Sequence, residues 1–74
     1  MKRAKLTLNA GEKIQAVYDM ELNAEISWFW DRGFDVTFGD TTNGIKDSCA
    51  EFRTFDEAAE WLYNRAMQYR DNRE

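Results

Sequence analysis

The chain has 74 residues, a formal net charge of −4 and 15% aromatic residues. That length supports a single domain, residues 1–74, burying only about 60–65% of its unfolded surface, so aromatic side chains must fill much of the core. The charge argues against generic binding to nucleic acid or to an anionic membrane, and no apolar run reaches the length of a membrane span or looks like a signal peptide.

Arg3 to Leu8 alternates weakly, with Leu6 and Leu8 on one face, and reads as an edge strand. Asn9-Ala10-Gly11 reads as a turn. Glu12 to Leu22 fits two patterns: Ile14, Val17 and Tyr18 make a helical stripe, yet Ile14 to Tyr18 also fits a strand. A short helix is the favoured reading. Glu25 to Trp30 is a strand by composition, with Ile26, Trp28 and Trp30 on one face and Ser27 and Phe29 on the other.

Asp31-Arg32-Gly33 is a tight turn, after which Phe34, Val36 and Phe38 alternate with Asp35 and Thr37 in the clearest strand. A second turn, Asp40 to Gly44, carries the strong Asn-Gly signal. Ile45 to Arg53 is a third strand, with Ser48, Ala50 and Phe52 set against Cys49 and Glu51 and room for a bulge in its irregular middle. Short turns make this meander antiparallel.

The best helix runs from Thr54 to Arg70. Thr54 and Glu57 form a capping-box pattern, and Phe55, Ala58, Ala59, Leu62, Ala66 and Tyr69 recur at helical spacing. Two alanines let a flat surface approach closely. Asp71 to Glu74 reads as a frayed tail. The expected fold is α+β: an antiparallel sheet of three to four strands packed against the C-terminal helix, with a second short helix near the N-terminus as an addition.

Chemistry is sparse. Without histidine there is no Ser/His or Cys/His pair, and lone Cys49 can build neither an intrachain disulfide nor a zinc site. The expectation is no catalytic residue, no cofactor and no metal, in a reducing cytoplasm. Acidic residues are concentrated in the middle: residues 19–60 hold eleven acids against Arg32, Lys46 and Arg53, whereas residues 1–18 hold Lys2, Arg3, Lys5 and Lys13 against Glu12. Trp28, Phe29 and Trp30 are consecutive and cannot all face one way on a strand. Either Phe29 or the Trp pair faces away from the helix, unless the N-terminal segment covers it. An exposed aromatic beside Asp31 and Asp35 would be an interaction hot spot.

Asn43-Gly44, Glu51-Phe52, Thr54, Asp56 and Trp61-Leu62-Tyr63 together resemble a family of type I-F anti-CRISPR proteins, phage-encoded inhibitors of the CRISPR surveillance complex. The family carries Asn-Gly, Asp-Phe, Ser, Glu and Trp-Phe-Tyr in the same register, without a gap. Asp31-Arg32-Gly33 is similar to its Glu-Asn-Gly hairpin, and Met1, Lys2 and Lys5 match its opening. The resemblance implies an antiparallel sheet with two helices that binds the repeated subunit displaying the guide RNA and keeps target DNA from pairing. The family's aromatic before the hairpin turn falls on Trp30. Its acidic contact falls on Gly39, with Asp40 beside it, and Leu6 stands where it has tyrosine.

The expectation drawn from residues and resemblance is a small cytoplasmic inhibitor that binds a protein partner, a Cas surveillance complex, through Trp30, Asp31, Asp35 and Asp40. It would make no direct contact with nucleic acid or membrane. The alternative is a regulatory or assembly module, since three strands and a helix opening Thr-Phe-Asp-Glu-Ala also look like the HicB-type antitoxin fold.

Overall fold

In the computed structural model, which describes residues 8–40 and 45–73, two helices cover one face of a three-stranded sheet. The order is α1 (Ala10–Asp19), β1 (Ala24–Phe29), β2 (Gly33–Asp40), β3 (Ile45–Phe52) and α2 (Phe55–Arg73). The sheet is antiparallel in the order β1-β2-β3. The α+β class and the C-terminal helix agree with the sequence reading. The expected strand from Arg3 and the Asp40–Gly44 turn lie largely outside the described residues.

Residues 9–11 are a correction. They start α1 instead of forming a turn. Asn9 has extended backbone, its Oδ1 accepts the Glu12 N–H at 2.8 Å, and Glu12 Oε1 accepts the Asn9 N–H at 2.9 Å. This reciprocal box satisfies two N–H groups that a helix start leaves without intrahelical partners. It also decides between helix and strand for the next turns, because a capped start favours the stripe of Ile14 and Val17.

The strand expected to end at Trp30 ends at Phe29, and Trp30 belongs to the turn. The Arg32 N–H closes that turn on the Phe29 carbonyl at 2.9 Å. Gly33 opens β2 at φ +107°, and a Cβ there would stand 2.4 Å from the Phe52 carbonyl oxygen. Glycine is therefore required by the close passage of β3 as well as by the turn.

Opposite Gly33's neighbours, β3 bulges. Phe34 faces Phe52 and Val36 faces Cys49, so one extra residue is inserted between those pairs. Glu51 takes φ 66°, and its N–H donates to Asp35 Oδ1 at 3.1 Å. The bulge corrects the expected alternation: Phe52 shares the helix-side face with Cys49 instead of grouping with Ser48 and Ala50.

Helix α2 begins as its cap demands. The Glu57 N–H donates to Thr54 Oγ1 at 3.1 Å, while Glu57 Oε1 accepts from the N–H groups of Thr54 and Arg53 at 3.3 and 3.0 Å. The helix continues through Asp71 to Arg73, so the expected tail is mostly helical. Thr54→Ala should cost about 1 kcal/mol, and Glu57→Gln much less, since Gln retains an oxygen to close the box. Urea denaturation checks both; equal midpoints for all three proteins would mean that the cap contributes nothing.

Packing follows from the stripe. Ala58, Leu62 and Ala66 are buried against Val36 and Phe38 of β2, and Val17 of α1 completes the cluster. Small side chains bring the α2 backbone close to the sheet, and Tyr69 meets the Phe38 ring edge-on at 5.9 Å. Helix α2 lies over β2 and reaches β3, while α1 packs on α2. This arrangement leaves β1 short of cover by the helices. Exposed Trp28 and Phe29 lie there, with Trp30 in the turn that follows, whereas Tyr18 is exposed on α1 and Phe55 at the start of α2.

Candidate protein-binding face at the β1–β2 hairpin

The strand alternation of β1 sends Trp28 to the helix side and Phe29 to the opposite face, and the turn then lifts Trp30 clear of both. Trp28 lies opposite Phe34 in the register, with ring centroids 5.9 Å apart, and Phe34 meets Phe55 at 6.0 Å. Even so, Trp28 is 63% exposed, because neither helix reaches over the end of β1. Phe29 is 55% exposed, with the Arg32 guanidinium carbon 4.7 Å from its ring centroid. Trp30 is 93% exposed.

Single exposed hydrophobic residues are ordinary, but three at one hairpin end are not. Trp28 is exposed on the helix side with Phe55 near, Phe29 on the opposite face and Trp30 at the tip, so the apolar patch wraps the hairpin end instead of lying on one face. Asp31 is exposed at the tip beside Trp30. An apolar anchor next to a carboxylate suits a partner surface that carries lysine or arginine.

The four residues singled out from sequence do not form one cluster. Trp30 and Asp31 are together at the turn. Asp35 lies mid-strand on the face away from the helices, half-buried, with Oδ1 engaged by the Glu51 N–H. Asp40 ends β2 at the other extremity of the sheet, about 23 Å from Gly33 at strand spacing. Trp28, Phe29 and Phe55 join the patch instead. The Trp-Phe-Trp run signals the first two; Phe55, which heads the α2 stripe, gives no sequence sign of its exposure.

Beside the patch, a groove of about 300 Å³ runs between α1 and β1, with Ile14, Val17 and Tyr18 on one side, Ala24, Glu25 and Ile26 on the other, and Leu62 and Phe55 also lining it. A wider cleft of about 460 Å³ lies between the end of β3 and the start of α2, lined by Glu51, Arg53, Glu60 and Trp61 among others. One acid there, Glu57, is held in the α2 cap. Among the described residues no group of His, Cys, Asp and Glu is arranged to hold a metal ion, and no helix is long and apolar enough to cross a membrane. No family model, curated protein or solved structure matches the chain.

Proposed function

We propose that this chain is a non-enzymatic phage or mobile-element inhibitor that acts in the host cytoplasm by binding a CRISPR surveillance complex and blocking its recognition of nucleic acid. The observation that carries the reading is the exposure of Trp28, Phe29 and Trp30 at a hairpin end that also presents Asp31. The family resemblance of residues 43–63 supplies the choice of partner.

Such a protein works by occupancy. A surface that holds guide RNA or target DNA is rich in Lys and Arg, and carboxylates on the inhibitor compete with phosphates for those donors. The aromatics supply the dehydrated anchor that charge alone lacks. With a net charge of −4, the chain itself is repelled by nucleic acid, so its contacts are with the protein.

The test is target binding by a purified, guide-loaded type I-F complex with increasing amounts of the chain, together with phage survival in cells carrying that system. Dose-dependent loss of target binding and protection of phage are expected. Absence of both, with no physical binding, overturns the reading, and specific capture of a toxin would establish the antitoxin alternative instead.

Charge should act mainly on encounter. Asp31→Lys is expected to slow association several-fold and to flatten its salt dependence, because it reverses a charge in the steering field. Stopped-flow association at two salt concentrations measures this. Asp35→Asn is the matched comparison, since it removes a charge yet keeps the oxygen that Glu51 N–H uses.

A further inference from the structure

The side of β1 turned away from β2 has a chemistry of its own. Gly39 donates its N–H to the Asn23 carbonyl at 2.7 Å, and these residues stand directly opposite each other when the β1–β2 register is continued. That makes them a hydrogen-bonded pair. Because such pairs alternate along an antiparallel ladder, Glu25, Ser27 and Phe29 direct their main-chain groups toward β2. Ala24, Ile26 and Trp28 direct theirs outward, at an edge with no neighbouring strand among the described residues.

Edges of this kind are usually blunted by lysine, proline or a bulge. The other edge, β3, has both Lys46 in its sequence and the bulge at Glu51. β1, Ala-Glu-Ile-Ser-Trp-Phe, has no lysine, proline or bulge, and the charge that guards it is the carboxylate of Glu25, which a basic strand would match. Its register with β2 runs unbroken, so it is a regular template for an added strand.

The surroundings specify what that strand would be. Side chains of an added strand on the helix side would enter the groove beside Ile26, against Ile14, Val17 and Tyr18. Alternate side chains would emerge on the opposite face beside Glu25 and Ser27. Exposed acids mark the whole length: Asp19 and Glu21 before the strand, Glu25 within it and Asp31 after it. β1 itself carries no base.

We infer that the β1 edge binds an extended segment of the partner protein in which apolar residues alternate with lysine or arginine, added to the sheet as a further strand. The inference rests on the proposed protein-binding role of this end of the molecule and names the chemistry of its partner.

The experiment uses the isotopically labelled full chain and an alternating Val/Lys octapeptide. The comparisons are the Val/Glu octapeptide and a Val/Lys peptide N-methylated on alternate residues along one edge. Amide hydrogen exchange is read residue by residue. At saturation the Val/Lys peptide should slow exchange at Ala24, Ile26 and Trp28 at least tenfold, and Glu25→Lys should weaken its binding at least tenfold. The N-methylated peptide should not bind when its modified edge is the one facing β1. Equal binding of the Val/Glu peptide, unchanged exchange at those three amides, or their protection without peptide, whether by residues 3–8 of the same chain or by a second copy, would each overturn the inference. These readouts need no Cas protein. Failure here with intact inhibition of target binding removes only the strand-addition mode, and the converse removes only the choice of partner.

Discussion

Phe38→Ala is expected to leave the fold with almost no stability at room temperature. Phe38 is 0% exposed, sits in the central strand between Ala24 and Asp47, and contacts Tyr69 of α2 through its ring. Truncating a buried phenylalanine costs about 3–5 kcal/mol, from lost transfer energy and an unfilled cavity. A domain this small has a total stability on the order of 5 kcal/mol, so one such loss consumes nearly all of it. Chemical denaturation followed by far-ultraviolet circular dichroism measures the change, with exposed Gln68→Ala for comparison. Equal midpoints for the two variants would contradict a core centred on β2 and α2.

Trp30→Ala should do the opposite: leave the fold unchanged and weaken partner binding by about 2 kcal/mol, roughly thirtyfold in Kd. At 93% exposure the indole contributes little burial to the folded monomer. Its truncation removes the most protruding apolar group on the patch, and the loss should appear mainly as faster dissociation. Surface plasmon resonance with immobilised surveillance complex separates the rates. An unchanged dissociation rate in a folded variant would move the binding face away from the hairpin.

These two residues also mark what the sequence made legible. Phe38 was readable as core because strict alternation over Phe34, Val36 and Phe38 is a local pattern with one interpretation. The α2 helix was readable for the same reason, its cap and stripe both lying within a few turns. Helix α1 carries the same capping logic in Asn9 and Glu12, but Asn-Ala-Gly imitates turn chemistry and concealed it.

Several of the other misses originate in distant chain segments. Glu51 adopts a positive φ without being glycine, and its N–H is held by Asp35 on another strand. The irregular middle of β3 leaves room for a bulge, but nothing adjacent to Glu51 fixes its place, so the face presented by Phe52 is not legible locally. Trp30 continued the composition of a strand, and only the Phe29–Arg32 turn removes it. Whether Trp28 was core or surface depended on where α1 docked, and α1 packs on α2 while leaving the end of β1 uncovered. Asp40 looked like a companion of Asp31 in the acidic stretch, yet the length of β2 separates them.

The most direct test of the hairpin as the binding face is hydroxyl-radical footprinting of the three tryptophans, free and with purified surveillance complex, read by mass spectrometry. Trp28 and Trp30 lie at the hairpin, and half-buried Trp61 lies in the cleft by α2. The account predicts that the complex protects Trp28 and Trp30 and leaves the oxidation of Trp61 unchanged. Protection of Trp61 with undiminished oxidation of Trp28 and Trp30 would contradict it.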